Sequence, residues 1–294
     1  MKTIAAGLVL SLVLLAAAAS IAFAAPAEPD IAGIIERIDR MARFQDTDFS
    51  CTYTLVSEKP GEEPSVFKVR LFRRDREEKF LILFLEPETQ KGQGYLQIED
   101  NLWFYDPESR KFNHSSFKEN LSDSEAKNSD MRASSLSEDY SVEGTEEGKL
   151  GKYDVWVVTL RAKNTEVSYP KIRLWITRTD SLLLKVESYS LSDRLMRSSY
   201  YPNYVQVGGR FIPSRMLFVD ELAKDEKTQA TITSPSLAAL PDSVFTKAYL
   251  EKVKPVAPQG GNKIQLSADG AMVPVLHGQW REVRTLVIGE VGAP

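Results

Sequence analysis

Residues that could serve as nucleophile, base or metal ligand are scarce in this 294-residue chain, which has two histidines and one cysteine. His114 is followed by Ser115 and Ser116, but in a polar stretch with no oriented base and acid, which a hydrolytic triad requires. Nothing near His114 or His277 completes a ligand set. The reading therefore assigns no catalytic residue, no metal and no cofactor. Cys51 shares a strand face with Phe49, Tyr53 and Leu55, as a small buried hydrophobe does. A single cysteine also forbids an intrachain disulfide. What the sequence offers instead is apolar chemistry. Phe84, Trp103, Tyr105, Trp156, Leu174, Met216 and Phe218 fall at strand period on faces that little helix is available to cover. A cavity lined by such side chains suits acyl chains, since each methylene removed from water contributes about 0.8 kcal/mol. These seven are the candidate lipid-binding residues.

The elements that must position them centre on Phe80–Tyr140. Phe80-Leu81-Ile82-Leu83-Phe84-Leu85 is an apolar run that ends at Glu86-Pro87. Lys91-Gly92-Gln93-Gly94-Tyr95-Leu96 and Leu102-Trp103-Phe104-Tyr105-Asp106-Pro107 follow. These read as strands, the first two with large apolar side chains on both faces. Most of Asn113–Glu138 is Ser, Asn, Asp, Lys and Glu, and reads as a long, flexible polar loop.

Strands dominate the rest. The alternation predicts strands over Phe49–Val56, Val66–Arg74, Tyr153–Ala162, Ile172–Thr177, Leu182–Glu187, Leu195–Tyr204, Ile212–Asp220 and Lys227–Thr233. Turn signals about every ten residues indicate antiparallel meanders rather than βαβ units. Asp30–Phe44 reads as a helix with Ile31, Ile34, Ile35, Ile38, Met41 and Ala42 on one stripe, and Glu36, Arg37, Asp39, Arg40 and Arg43 off it. It is either an ordinary core helix or a lid over an open sheet face. Pro241–Leu250 reads as a short terminal helix. The fold class is mainly β (α+β): a strongly curved antiparallel sheet of ten or eleven strands forming an incomplete barrel, covered by one or two helices. Lys and Arg at alternate strand positions argue against a lipid-embedded barrel.

An apolar strand ending in Pro, a Lys-Gly turn, a Trp-x-Tyr-x-Pro strand and a loop closing on Ser137-Glu138-Asp139-Tyr140 together resemble the outer-membrane lipoprotein-sorting family, in its LolA-like branch, over residues 31–253. Where members of that family carry several basic residues after the Trp-x-Tyr-x-Pro strand, this chain has only Arg110 and Lys111. The resemblance implies a LolA/LppX-like half barrel and a carrier of lipid or lipoprotein acyl chains. It also implies a partner among inner-membrane lipid or lipoprotein exporters.

At the N-terminus, Lys2, the apolar run Ile4–Ala19 and Ala22-Phe23-Ala24 read as a signal peptide over residues 1–24, cleaved after Ala24. This places the mature chain in the bacterial periplasm, or outside the cell where there is only one membrane. The carrier domain is expected over 25–254 and a linker over 255–261, where Pro255, Pro258, Gly260 and Gly261 cluster. Residues 262–294 differ in character. Ser267–Pro274, Gly278–Thr285 and Val287–Glu290 resemble a fragment of insertion-sequence transposases, in which Asp269 matches the first metal-binding carboxylate. One carboxylate cannot hold a two-metal centre. The segment reads as a foreign or disordered tail, the alternative being a natural strand extension.

A net charge of −4 argues against nucleic acid as a partner. The expected function is non-enzymatic: a periplasmic carrier that binds acyl chains in an apolar cavity and shuttles them toward the outer membrane. The alternative is an envelope-stress sensor or regulatory lipoprotein-binding protein of similar fold.

Overall fold

The computed structural model describes residues 29–223 and 225–252, and the backbone of 264–275 and 279–290. The signal segment and the 255–261 linker lie outside the described residues. Helix α1 (Ile31–Ala42) leads into β1 (Phe49–Glu58), β2 (Ser65–Arg74), β3 (Lys79–Glu86), β4 (Gly94–Ile98), β5 (Asn101–Asp106) and β6 (Lys111–His114). A segment with one 3₁₀ turn (Asn128–Met131) and the short helix α2 (Leu136–Asp139) then crosses to β7 (Tyr140–Leu150). Strands β8 (Tyr153–Ala162), β9 (Lys171–Thr177), β10 (Leu183–Tyr189), β11 (Leu195–Val207), β12 (Arg210–Asp220) and β13 (Lys227–Ser236) complete the sheet, and α3 (Lys247–Lys252) follows.

The thirteen strands form one antiparallel sheet in the order β6-β5-β4-β3-β2-β1-β13-β12-β11-β10-β9-β8-β7. It is a meander cut between β6 and β7, and the first and last strands are joined by β1–β13 pairing. The two edges do not pair with each other, so the barrel is incomplete, as the strand pattern predicted. Strands β14 (Ile264–Val275) and β15 (Gln279–Glu290), within the segment read as a tail, pair with each other as a separate two-stranded sheet.

Period-2 alternation divides the apolar residues between faces. On the inner face Phe49, Cys51, Tyr53 and Leu55 of β1, Phe67, Val69 and Leu71 of β2, and Phe80, Ile82 and Phe84 of β3 form one cluster with Met216 and Phe218 of β12. A second inner cluster joins Val158 and Leu160 of β8 to Ile172, Leu174 and Ile176 of β9, beneath Ile31, Ile35 and Ile38 of α1. The outer face carries a third, in which Leu81, Leu83, Leu96 and Tyr105 pack against Leu250 of α3. Strands β3 to β5 are thus apolar on both faces because both are covered.

Two strands were not anticipated. β7 is exposed along most of its length and has no apolar alternation. It is an edge strand held by charge: Arg161 pairs with Glu143, Arg178 with Glu147 and Arg173 with Glu146. Charged side chains of this kind protect an edge from pairing with other chains. The short β6, at the other edge, is likewise mostly exposed.

A buried ion network fixes the start of the sheet. Arg74 donates through Nε and Nη2 to Asp48, at 3.0 Å each, and through Nη1 to Asp242. Arg73 donates to Asp75 and to the Ala42 carbonyl, while Asp75 accepts the Phe44 amide. Burial would raise the Asp48 carboxyl, but hydrogen bonds from Arg74, the Leu240 amide and Arg76 outweigh it and hold the pKa at about 2. Cys51 is fully buried, and burial pushes its thiol up to about 12 despite nearby Arg73 and Arg70.

Candidate functional site

Between the two inner clusters lies a cavity of about 590 Å³. Phe49, Tyr53, Met216, Phe218 and Ile232 line it from one cluster, and Ile38, Ile172, Leu183 and Val186 from the other. Its volume lies within the range of small-molecule sites, which runs from about 300 to 1,000 Å³. Packing leaves it unfilled in part because inward-facing positions of β10 and β11 carry the small Ser188 and Ser199, opposite Ile172 and Phe218 of the neighbouring strands.

Two segments cover it. From α1 come Ile38, Met41 and Ala42, and from the 115–139 segment come Phe117, Ser129, Asp130 and 132–136. This segment differs from the flexible polar loop that its composition suggested. Three of its few apolar side chains, Leu121, Ala126 and Met131, are buried in the first inner cluster, and Phe117 packs against it. Ser124 Oγ donates to the Leu121 carbonyl at 2.7 Å and Asn128 Nδ2 to the Ser116 carbonyl at 2.9 Å, while the buried Asn128 Oδ1 has no partner. Arg132 lies over the Phe117 ring at 4.3 Å.

Asp39 ties the two covers together. It sits beside the apolar stripe of α1 and is buried. Its Oδ1 accepts Ser134 Oγ at 2.5 Å and the Leu136 amide at 3.0 Å. Its Oδ2 accepts the Ser137 amide at 2.7 Å and Ser137 Oγ at 2.6 Å. Arg43 adds bonds to the Ser134 carbonyl and to Glu138. On the floor, Arg197 of β11 holds Asp130 of the cover through two hydrogen bonds. Burial pushes the phenol of Tyr169, another lining residue, up to about 12, so it stays neutral at physiological pH.

The structure separates the seven sequence candidates. Met216 and Phe218 line the cavity. Phe84 and Leu174 lie behind it in the first and second inner clusters, and Trp156 packs at the second with Arg178 over its ring at 4.5 Å. Trp103 and Tyr105 are on the wrong face for the cavity. Tyr105 is buried in the outer cluster and Trp103 packs against it, with Lys247 over the Trp103 ring at 4.4 Å. The reason is strand parity: Leu102 and Phe104, one residue out of step, are the pair that reaches the inner cluster. Residues that matter and were not singled out are Asp39, Asp130, Arg197 and Tyr201. A usable signal existed for two of these: Arg197 and Tyr201 share the inward parity of β11 with Ser199, an uncommon set for a face with apolar neighbours.

For the catalytic alternatives, His114 is exposed on β6 with its ring 5.6 Å from that of Trp103. Ser115 donates its hydroxyl to Glu119 at 2.7 Å. Among the described residues no cluster of His, Cys, Asp and Glu is placed to hold a metal.

A family model described as an "Uncharacterized protein"-like family matches residues 76–252. No curated protein matches the chain. Among solved structures, a LolA superfamily protein from Nitrosomonas europaea is 25% identical, with a TM-score of 0.65, covering 74% of this chain and 97% of its own. An outer-membrane lipoprotein-sorting protein domain from Vibrio parahaemolyticus is 21% identical, with a TM-score of 0.66 and the same coverage. A DUF1329 family protein from Desulfovibrio piger is 18% identical, with a TM-score of 0.67 and again the same coverage. The chain belongs to the family matched over residues 76–252, and its fold is that of the LolA-like outer-membrane lipoprotein-sorting proteins.

Proposed function

We propose that this protein is a periplasmic carrier that takes acyl chains of lipids or lipoproteins into the cavity and releases them toward the outer membrane. One observation carries the reading: a cavity of about 590 Å³ between two apolar clusters, covered by α1 and the 115–139 segment. The likeness to a LolA superfamily protein supports it. Binding is non-covalent. Apolar transfer alone, at about 0.8 kcal/mol per methylene, gives a chain of eight methylenes roughly 6 kcal/mol before ordering costs. Met216 and Phe218 touch the chain, while Phe84, Leu174 and Trp156 back the wall. An inner-membrane lipid or lipoprotein exporter is the expected donor. The buried Arg197 and the half-buried Asp130 neutralise each other and need no substrate to do so.

Uptake of a fluorescent acyl probe tests the reading. The native protein should bind it, and Met216→Glu, folded by circular dichroism, should not, because the new carboxylate would have to be buried beside the chain. A native protein that takes up no probe contradicts the proposal.

A further inference from the structure

Arg197 is only 6% exposed and lines the cavity, with its guanidinium 4.3 Å from the centre of the Phe218 ring. Its Nη1 and Nη2 donate to Asp130 Oδ1 and Oδ2 at 3.2 and 2.6 Å. This is end-on pairing, through the two terminal nitrogens. A guanidinium has a second edge, Nε with the other Nη2 hydrogen, equally suited to two oxygens of one acid. At Arg197 the Nε is buried and has no partner. The neighbouring buried arginines differ. Arg73 gives its Nε and Nη2 to Asp75 at 2.9 and 2.7 Å, and Arg74 gives the same pair of atoms to Asp48. Their side-on edges are filled by the protein, whereas the Nε of Arg197 meets no acceptor, although the Tyr169 hydroxyl lies near the guanidinium. A buried donor left without an acceptor is costly, so an oxygen delivered there is favoured.

We propose that the side-on edge of Arg197 receives the acidic group, carboxylate or phosphate, of an acyl ligand whose chain lies along Phe218 and Met216. The inference rests on the acyl-binding reading and names the ligand class within it. Asp130 belongs to the 128–131 turn of the cover, so the acid reaches Arg197 when that segment lifts. The surrounding charge is mixed. Asp130 occupies the end-on edge, Asp220 lies opposite Arg197 in the β11–β12 register, and Lys127 and Glu125 stand nearby on the cover. Selection therefore comes from the shape of the empty edge rather than from a positive field. Paired N–H donors on a planar cation favour a two-oxygen acid over a hydroxyl of equal chain length.

The experiment compares dodecanoate, dodecyl phosphate and dodecanol as competitors of the fluorescent acyl probe, on the full chain and on Arg197→Lys. Lysine keeps the charge facing Asp130 but has no side-on edge. In the native protein at least one acid should bind on the order of tenfold more tightly than the alcohol, as one added charge-assisted hydrogen bond implies. The stronger of the two acids identifies the headgroup chemistry. Arg197→Lys should lose that preference, read as the ratio of acid to alcohol affinity, which a general change in cover opening would leave at its native value. Should this variant fail to fold, the paired substitution Arg197→Gln with Asp130→Asn removes both charges together and should show the same loss. Equal affinities in the native protein, or a preference that survives either variant, overturn the proposal. If none of the three ligands displaces the probe while the probe itself binds, the headgroup site is refuted and the cavity stands. If the probe does not bind either, both readings fall.

Discussion

Replacing Asp39 by Asn should loosen the cover without unfolding the sheet. Asp39 is 6% exposed and meets four donors, two amides and two hydroxyls, all from residues 134–137. Asparagine fills the same space but turns one acceptor oxygen into a donor. If the amide nitrogen lies on the Oδ2 side, it faces the Ser137 N–H, now 2.7 Å from Oδ2, and that bond cannot be kept. If it lies on the other side, the Leu136 amide is left unpaired instead. The remaining bonds lose their charge. A hydrogen bond to a charged group contributes about 1.5–3 kcal/mol, so the segment should become easier to lift by about 3 kcal/mol. That is roughly a hundredfold in the population of the lifted state. Amide hydrogen exchange reads it directly. Leu136 and Ser137 should exchange about a hundredfold faster in Asp39→Asn, while Leu55 and Val69, in the fully buried core of β1 and β2, should not change. Unchanged rates at Leu136 and Ser137 would refute the latch. Equal acceleration at Leu55 and Val69 would show that the cover opens only with the whole fold.

The Asp48 carboxyl, at about 2 when folded against an ordinary 3.8, contributes stability that is complete above pH 4 and is lost as pH falls toward 2. The loss should reach about 2 kcal/mol, measured by urea unfolding across that range, and Asp48→Asn should remove this part of the acid limb while costing about 3 kcal/mol at neutral pH. Trp103→Ala should leave acyl-probe affinity within about twofold of native, because the ring packs on the outer face; a large loss of binding would return Trp103 to the site. Truncation after Lys252 should leave the melting temperature within a few degrees, since β14 and β15 form a sheet of their own. A large drop would make residues 253–294 part of the fold.

The sheet was legible wherever one face is buried, because burial imposes period-2 alternation. Phe67, Val69 and Leu71 against Lys68 and Arg70 is such a case, and β2 runs where it was expected. The edge strands β6 and β7 had no such pattern, since solvent on both faces removes the pressure for it. Large aromatics at strand period showed that the sheet is greasy, but not which parity faces inward when both faces are covered. Hence Trp103 and Tyr105 were grouped with Met216 and Phe218, and the structure puts them on opposite sides of the sheet. Asp39 was read only as lying off the apolar stripe, because helical periodicity records hydrophobicity and not the distant donors of residues 134–137. The cover segment looked loose for a related reason: three buried apolar side chains in a polar stretch leave no period, although they suffice to seat it.

In the cell, the cavity between the two inner clusters should hold an acyl chain. The most direct test is extraction of the protein, purified from its native host without detergent, into organic solvent, followed by mass spectrometry against a matched Met216→Glu preparation. Acyl lipid should accompany the native protein in near-stoichiometric amount and the variant only in traces. Equal lipid in the two preparations, or none in either, would contradict this.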